Sequence, residues 1–331
     1  MERLDSLSRW LTSHSSGRRF TLAPVSADAS FRRYFRVRFE DGSTLIAMDA
    51  PPQQEHSAPF VRVAHIMAKC GLHVPEIVAC DLEQGFILLS DLGEKTYLSA
   101  LDESTADALF DDATTALTLW QLASRKDVLP PYDDKLLWRE LDLFPEWYVS
   151  KHLGVTLHTS QRETLTSTFE LIVKNSLSQP STFVHRDYMP RNLMVSEPNP
   201  GILDFQDAVY GPISYDVVSL FRDAFISWEE ERVLDWVVRY WEKARRASLP
   251  VRADFGEFYR ELEWMGLQRH LKVLGIFARI RYRDGKPAYL EDAPRFLGYI
   301  RSVAQRYAAL APLLKLLDQL DDQISRASQG N

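Results

Sequence analysis

The chain has 331 residues, of which 45% are apolar and 26% charged, and a formal net charge of −7. That length exceeds what one hydrophobic core usually serves, so two lobes are expected. The acidic balance argues against a general nucleic-acid binder, although a local pocket can still oppose the global sign.

In chain order, Leu4, Leu7, Trp10 and Leu11 recur at helical spacing and predict an amphipathic helix over 2–14. Phe20 to Val25, Tyr34 to Phe39 and Thr44 to Met48 read as strands. Small residues from Ser26 to Ser30 turn between the first two, and Asp41-Gly42 marks a hairpin between the next two. Pro51-Pro52 ends the third strand, and a helix from about Ala58 to Cys70 closes at Gly71. Glu76 to Cys80 and Phe86 to Leu89 supply two further strands. Ser90-Asp91-Leu92-Gly93 then reads as a hinge between two lobes, residues 1–93 and residues 94–331. Helical patterns follow at 103–123, 133–152, 160–177, 213–225, 229–246, 254–280 and 308–324. The expected class is α+β, a small antiparallel β lobe beside a larger helical one.

Cys70 and Cys80 stand outside any CxxC pattern, so reduced thiols are expected rather than a disulfide or zinc site. The first residues lack the apolar core of a secretory signal. No apolar run reaches the ~18 residues of a membrane helix, so a cytoplasmic protein without membrane or nucleic-acid partners is expected.

The chemistry concentrates between 185 and 207. His185-Arg186-Asp187-Tyr188-Met189-Pro190-Arg191-Asn192 has the H-x-D-x-x-x-x-N spacing of a kinase catalytic loop, and Leu203-Asp204-Phe205-Gln206-Asp207 occupies the place of D-F-G. In that pattern Asp187 is the catalytic base, while Asn192 and Asp204 present oxygen ligands to Mg²⁺. Apolar Phe183-Val184, Leu193-Met194-Val195 and Gly201-Ile202-Leu203 predict short strands that deliver these side chains. His185 either orders the loop or moves protons. Asp207 reaches a second metal, the substrate or nearby backbone. Asp216, near a predicted helix start, is placed to accept backbone N–H bonds.

These motifs, with Ser26 to Phe35 and Ala47-Met48-Asp49-Ala50-Pro51-Pro52, resemble the aminoglycoside phosphotransferase and choline kinase family of the protein-kinase-like fold. Within it the whole sequence looks like the bacterial anomeric kinases of amino sugars. The resemblance implies ATP and Mg²⁺ as cofactors and a monomer acting on a small sugar. The substrates it implies are N-acetylmuramate and N-acetylglucosamine, phosphorylated at the anomeric hydroxyl during cell-wall recycling. It also implies that Asp216 supports the catalytic loop from below. A kinase of aminoglycosides or choline, or a non-catalytic ATP-binding module, are the alternatives.

Two departures from the kinase pattern bear on the phosphate site. The turn that would cover the phosphates, with Ala29 and Ser30, has no glycine. The third strand carries Met48 where kinases place a Lys. Arg191, Arg32 and Arg33 are the arginines that could supply the missing charge. Ser90, Asp91 and Leu92 would meet the adenine edge, with Ala47 and Ile87 as apolar walls. For the acceptor, Glu146 and Trp147 offer a hydroxyl acceptor and a stacking face, and Arg222 or Arg279 a grip on a carboxylate.

Overall fold

The computed structural model describes residues 2–27 and 31–329. The chain divides into two compact units, Met1–Trp120 with Arg191–Asp207, and Gln121–Pro190 with Ala208–Asn331. The strands of the first 93 residues therefore share a unit with 94–120 and 191–207. Among the described residues no helix is long and apolar enough to cross a membrane.

In the first unit, α1 (Glu2–His14) is followed by β1 (Phe20–Ala27), β2 (Arg33–Phe39), β3 (Thr44–Asp49), α2 (Ala58–Lys69), β4 (Ile77–Asp81) and β5 (Phe86–Ser90). The five strands form one antiparallel sheet in the order β1-β2-β3-β5-β4. Strand alternation sends successive side chains to opposite faces. On one face Val37, Phe39, Ala47, Phe86 and Leu88 cluster with Leu7, Trp10 and Leu11 of α1, which is why that helix carries its apolar residues as a stripe. The β2–β3 hairpin turns at Gly42, whose φ of +84° suits a residue without Cβ. The short α3 (Tyr97–Ala100) and α4 (Ala106–Leu122) follow.

The second unit is mainly helical. After α5 (Asp134–Leu141), the π-helix Phe144–His152 and α6 (Thr159–Ser178), β6 (Ser181–Val184) leads into the catalytic loop. The first unit reclaims the chain for β7 (Leu193–Met194) and β8 (Gly201–Ile202). Then come β9 (Val209–Pro212), α7 (Tyr215–Phe221), α8 (Glu230–Arg246), α9 (Phe255–Asp284), α10 (Ala293–Arg306) and α11 (Ala311–Gln329). The 30-residue α9 is buried along most of its length and forms the axis of this unit.

Three expectations are corrected. The helix expected over 133–152 breaks into α5 and the π-helix, because Pro145 has no N–H for the regular ladder and the backbone widens behind it. The helix α10 and the 3₁₀ turn Pro287–Asp292 before it are additional to the expected elements, and Pro287 and Pro294 both sit in first turns, where a missing N–H costs nothing. The helix expected over 213–225 shortens to α7, which stops at Arg222, whose φ of −118° and ψ of 64° are not helical.

Candidate active site

In the first unit, β7 and β8 pair with Leu193 opposite Ile202, and Leu203 N–H donates to Asn192 C=O at 2.9 Å. This two-residue ladder brings together side chains twelve positions apart: Asn192 Nδ2 stands 3.4 Å from Asp204 Oδ2. Gln206 Nε2 donates to Asp204 Oδ1 at 2.8 Å. Asp204 adopts a φ of +63°, a left-handed conformation uncommon outside glycine but one that Asp tolerates better than most residues. Among the described residues no group of three or more His, Cys, Asp or Glu could by itself hold a metal ion.

Asn192 and Asp204 line a cavity of about 510 Å³ that lies wholly within this unit. Ser90, Asp91, Leu92, Gly93 and Glu94 form one edge of it, Phe60 and Phe205 stack at 4.9 Å on its wall, and Arg36 and Arg191 are its cationic lining. The sequence-predicted Ser90, Asp91, Leu92, Arg191, Asn192 and Asp204 are thus brought together. The apolar walls are Ile46 and Leu89, which face one another across β3 and β5, not Ala47 and Ile87. Ala47 packs on the opposite face under α1, one residue out of phase.

The arginines expected after the phosphate turn go elsewhere. Arg33 Nε donates to the buried Asp49 carboxylate at 3.1 Å, and Arg32 pairs with Glu55 at 3.1 Å. Ala29 and Ser30 lie outside the described residues.

Sequence reasoning missed Arg36. Only 8% exposed, it reaches Asp91 through Nε (2.7 Å) and Nη2 (3.2 Å), donates to Gly93 C=O at 2.8 Å and pairs with Glu94. Asp91 also accepts Gly93 N–H at 3.0 Å. Burial alone would raise the Asp91 carboxyl, but Arg36 and the Gly93 N–H outweigh it and hold it below its usual value. This clamp sets the shape of the cavity edge. Arg36→Ala is expected to raise the nucleotide KM about tenfold, the loss of one hydrogen-bonded charge pair. Initial rates against nucleotide concentration check this, and an unchanged KM would show the edge to be rigid without Arg36.

In the second unit, β6 pairs with β9 from Ser181↔Pro212 to Val184↔Val209, and the catalytic loop leaves from the end of that ladder. The carboxylate of Asp216, in the first turn of α7, accepts His185 N–H at 2.7 Å and Arg186 N–H at 3.0 Å. Burial pushes Asp216 up to about 7; the two N–H groups oppose that, the Asp187 charge adds to it, and Arg269 opposes it. His185, fully buried, accepts Asp187 N–H on Nδ1 at 3.2 Å, which requires the tautomer protonated on Nε2. Arg186 holds a φ of +78°, and the sharp turn there presents Asp187. Asp207 is exposed.

A buried ionic cluster underlies that turn. Arg186 pairs with Glu140 Oε1, to which Lys272 Nζ also comes within 3.0 Å. Gln268 Nε2 donates to Glu140 Oε2 at 3.0 Å, Tyr132 OH donates to the same oxygen, and Lys272 donates to Tyr215 OH at 2.9 Å. Burial would raise Glu140, yet Lys272 and then Arg186 hold it down at about 2. Lys272 is raised, Glu140 and Tyr215 overcoming its burial.

Of the acceptor candidates, Glu146 is exposed and Trp147 half-buried on the π-helix, which packs along α9, where Arg279 sits. Arg222 lies apart from them. It is 7% exposed, 3.4 Å from Tyr259 OH and 3.7 Å from Glu230, with the Tyr299 ring over it.

Residues 21–255 match the family model described as phosphotransferase enzyme family. The chain belongs to that family. It is also 51% identical over 324 residues to an N-acetylmuramate/N-acetylglucosamine kinase of Neisseria meningitidis, covering 97% of this chain and 96% of the relative. A relative of the same name from Pseudomonas aeruginosa is 54% identical over 299 residues, covering 90% and 88%. Among solved structures, the phosphotransferase is similar to ADP-bound aminoglycoside phosphotransferase APH(2'')-Ib, with a TM-score of 0.60, 14% identity and coverage of 89% and 97%. It is likewise similar to a choline/ethanolamine kinase family protein of Mesorhizobium loti, with a TM-score of 0.61, 13% identity and coverage of 95% and 98%. These likenesses place the phosphotransferase in the kinase-like fold, as the sequence predicts.

Proposed function

We propose that this phosphotransferase uses ATP and Mg²⁺ to phosphorylate the anomeric hydroxyl of N-acetylmuramate and N-acetylglucosamine, yielding the sugar 1-phosphate for cell-wall recycling. The observation that carries this is the identity of 51% and 54% with relatives of that name over 97% and 90% of the chain. Residues 1–93 serve the nucleotide and 94–331 the catalytic loop and acceptor.

Asp187 orients the sugar hydroxyl toward the γ-phosphorus and takes its proton as the new P–O bond forms and the bond from the γ-phosphorus to the departing ADP breaks. The adenine lies against Ile46 and Leu89, which sit side by side on one face of the sheet. Ser90 N–H is committed to Glu76 C=O at 2.9 Å and Gly93 N–H to Asp91, so the backbone of Asp91 and Leu92 turns to the base edge. Arg191, which lines the cavity beside Asn192 and Asp204, supplies the positive charge that Met48 lacks.

The residues present fit a hard cation. Their donors are all oxygen: the Asp204 carboxylate, the Asn192 amide after a flip of its ends, and the buried Gln206 Oε1, which has no hydrogen-bond partner among the described residues. Bound there, Mg²⁺ neutralises charge on the triphosphate.

A coupled assay of ADP release over amino sugars, aminoglycosides and choline tests the reading, with ³¹P–¹H coupling locating the phosphate. Turnover of both N-acetylated sugars with phosphate on O1 is expected. Phosphate on O6, or rapid turnover of an aminoglycoside with neither sugar used, would overturn it.

A further inference from the structure

Several arginines of this protein are matched by a carboxylate, Arg36 by Asp91 and Arg186 by Glu140 in the interior, and Arg252 by Glu261 and Arg306 by Glu263 nearer the surface. Arg279 is the exception of interest. It is half-buried on α9, makes no ion pair among the described residues, and its Nε is shielded from water without a hydrogen-bond partner. Its neighbour Arg283 is held by Asp284 at 2.7 Å, so that acid is already engaged. Burying part of a guanidinium without an acceptor is costly, and a bound acid relieves that cost.

The position of Arg279 points to the source of such an acid. Lys272, seven residues earlier on α9, lies on the same helical face about 10 Å away. Lys272 shares Glu140 with Arg186, the residue immediately before Asp187. One face of α9 therefore runs in two turns from the support of the catalytic loop to the unmatched guanidinium. The π-helix packs along α9 and carries the half-buried Trp147, which offers a ring face, and the exposed Glu146, which offers an acceptor for hydroxyls.

We propose that Arg279 receives a carboxylate borne by the acceptor sugar, making it the residue that distinguishes an acidic N-acetylated amino sugar from a neutral one. The planar guanidinium meets a carboxylate through two parallel N–H···O bonds, which a neutral sugar cannot supply. Arg222 is unsuited to this role, because Glu230 and Tyr259 already face it and Tyr299 covers it. Around Arg279 the charged groups are Arg283, which opposes its charge, and Asp284 and Glu146, which favour it. The assignment rests on the amino-sugar reading above.

The test uses the full chain with Arg279→Gln and Arg279→Lys. In steady-state assays Arg279→Gln should raise the KM for N-acetylmuramate about 10- to 100-fold, the weight of one charge-assisted pair. The KM for N-acetylglucosamine, the nucleotide KM and kcat with either sugar should stay within about threefold, and Arg279→Lys should recover part of the loss as a point charge without the fork. Equal losses with both sugars, or none with N-acetylmuramate, overturn the assignment. Calorimetric titration with N-acetylmuramate separates it from the broader reading. Binding weakened in Arg279→Gln but without turnover by the wild type overturns the kinase reading and supports Arg279. Turnover with binding unchanged in the variant overturns Arg279 alone, and absence of binding to the wild type overturns both.

Discussion

Asp187→Asn is expected to lower kcat at least ~10²-fold while leaving the fold and nucleotide affinity close to wild type. The loop does not depend on this side chain for its shape. Asp216 pins His185 and Arg186 through their backbone N–H groups, His185 accepts the Asp187 N–H, and the Arg186 side chain is anchored on Glu140. Asparagine fills the same space, but its amide cannot take a proton and presents only one acceptor to the hydroxyl. Single-turnover rates, a thermal melt and a nucleotide titration on the purified variant separate the three effects. Turnover near the wild-type rate would remove Asp187 from the role of base.

Glu140→Gln should destabilise the protein by about 3–5 kcal/mol, the cost of leaving buried charges without their partner. Two cations, Arg186 and Lys272, converge on Glu140, so the neutral amide leaves both unmatched. Lys272→Met on top of Glu140→Gln removes one of those charges, and the double variant should be more stable than the single one. That non-additivity is the signature of a shared pair. The pH dependence has a definite sign. With its carboxyl held at about 2 against a usual 4.5, Glu140 contributes stability in full above 4.5 and loses it as pH falls toward about 2. Asp216 acts oppositely in a different window: raised from 3.8 to about 7, it weakens the fold as pH rises between those values. Denaturant melts from pH 2 to 8 read both. If wild type and Glu140→Gln lose stability in parallel below pH 4.5, the Glu140 contribution is absent and the cluster is not ionic.

The parts of this protein written in contiguous residues were the parts that could be read directly. The H-x-D loop, the Asp204 segment and the five strands each announce themselves within a dozen residues, and Asn192 meets Asp204 because their two short strands adjoin them in sequence. Ala47 was assigned to the cavity and Ile46 overlooked because both are apolar, and nothing in a short buried strand tells which face meets helix α1. Glu140 carries no local mark of its role. Its true partners include Arg186, 46 positions away, and no local pattern marks a pairing over that distance. Arg32 and Arg33 were read from proximity to the phosphate turn, whereas Asp49 and Glu55 claim them. Arg269 and Lys272, which in sequence look like ordinary surface charges of a long helix, are buried. The π-helix could have been suspected from Pro145 inside a strong helical pattern.

Gly275 sits between Lys272 and Arg279 on α9, and a Cβ there would overlap the backbone carbonyl and Cβ of Leu143, at the threshold of the π-helix. The spacing between two long segments is thereby set by the absence of a single carbon atom. Any side chain at 275 must push the Trp147 segment away from the helix that carries Arg279, so the width of the proposed acceptor platform would be under the control of a residue that need never touch the sugar.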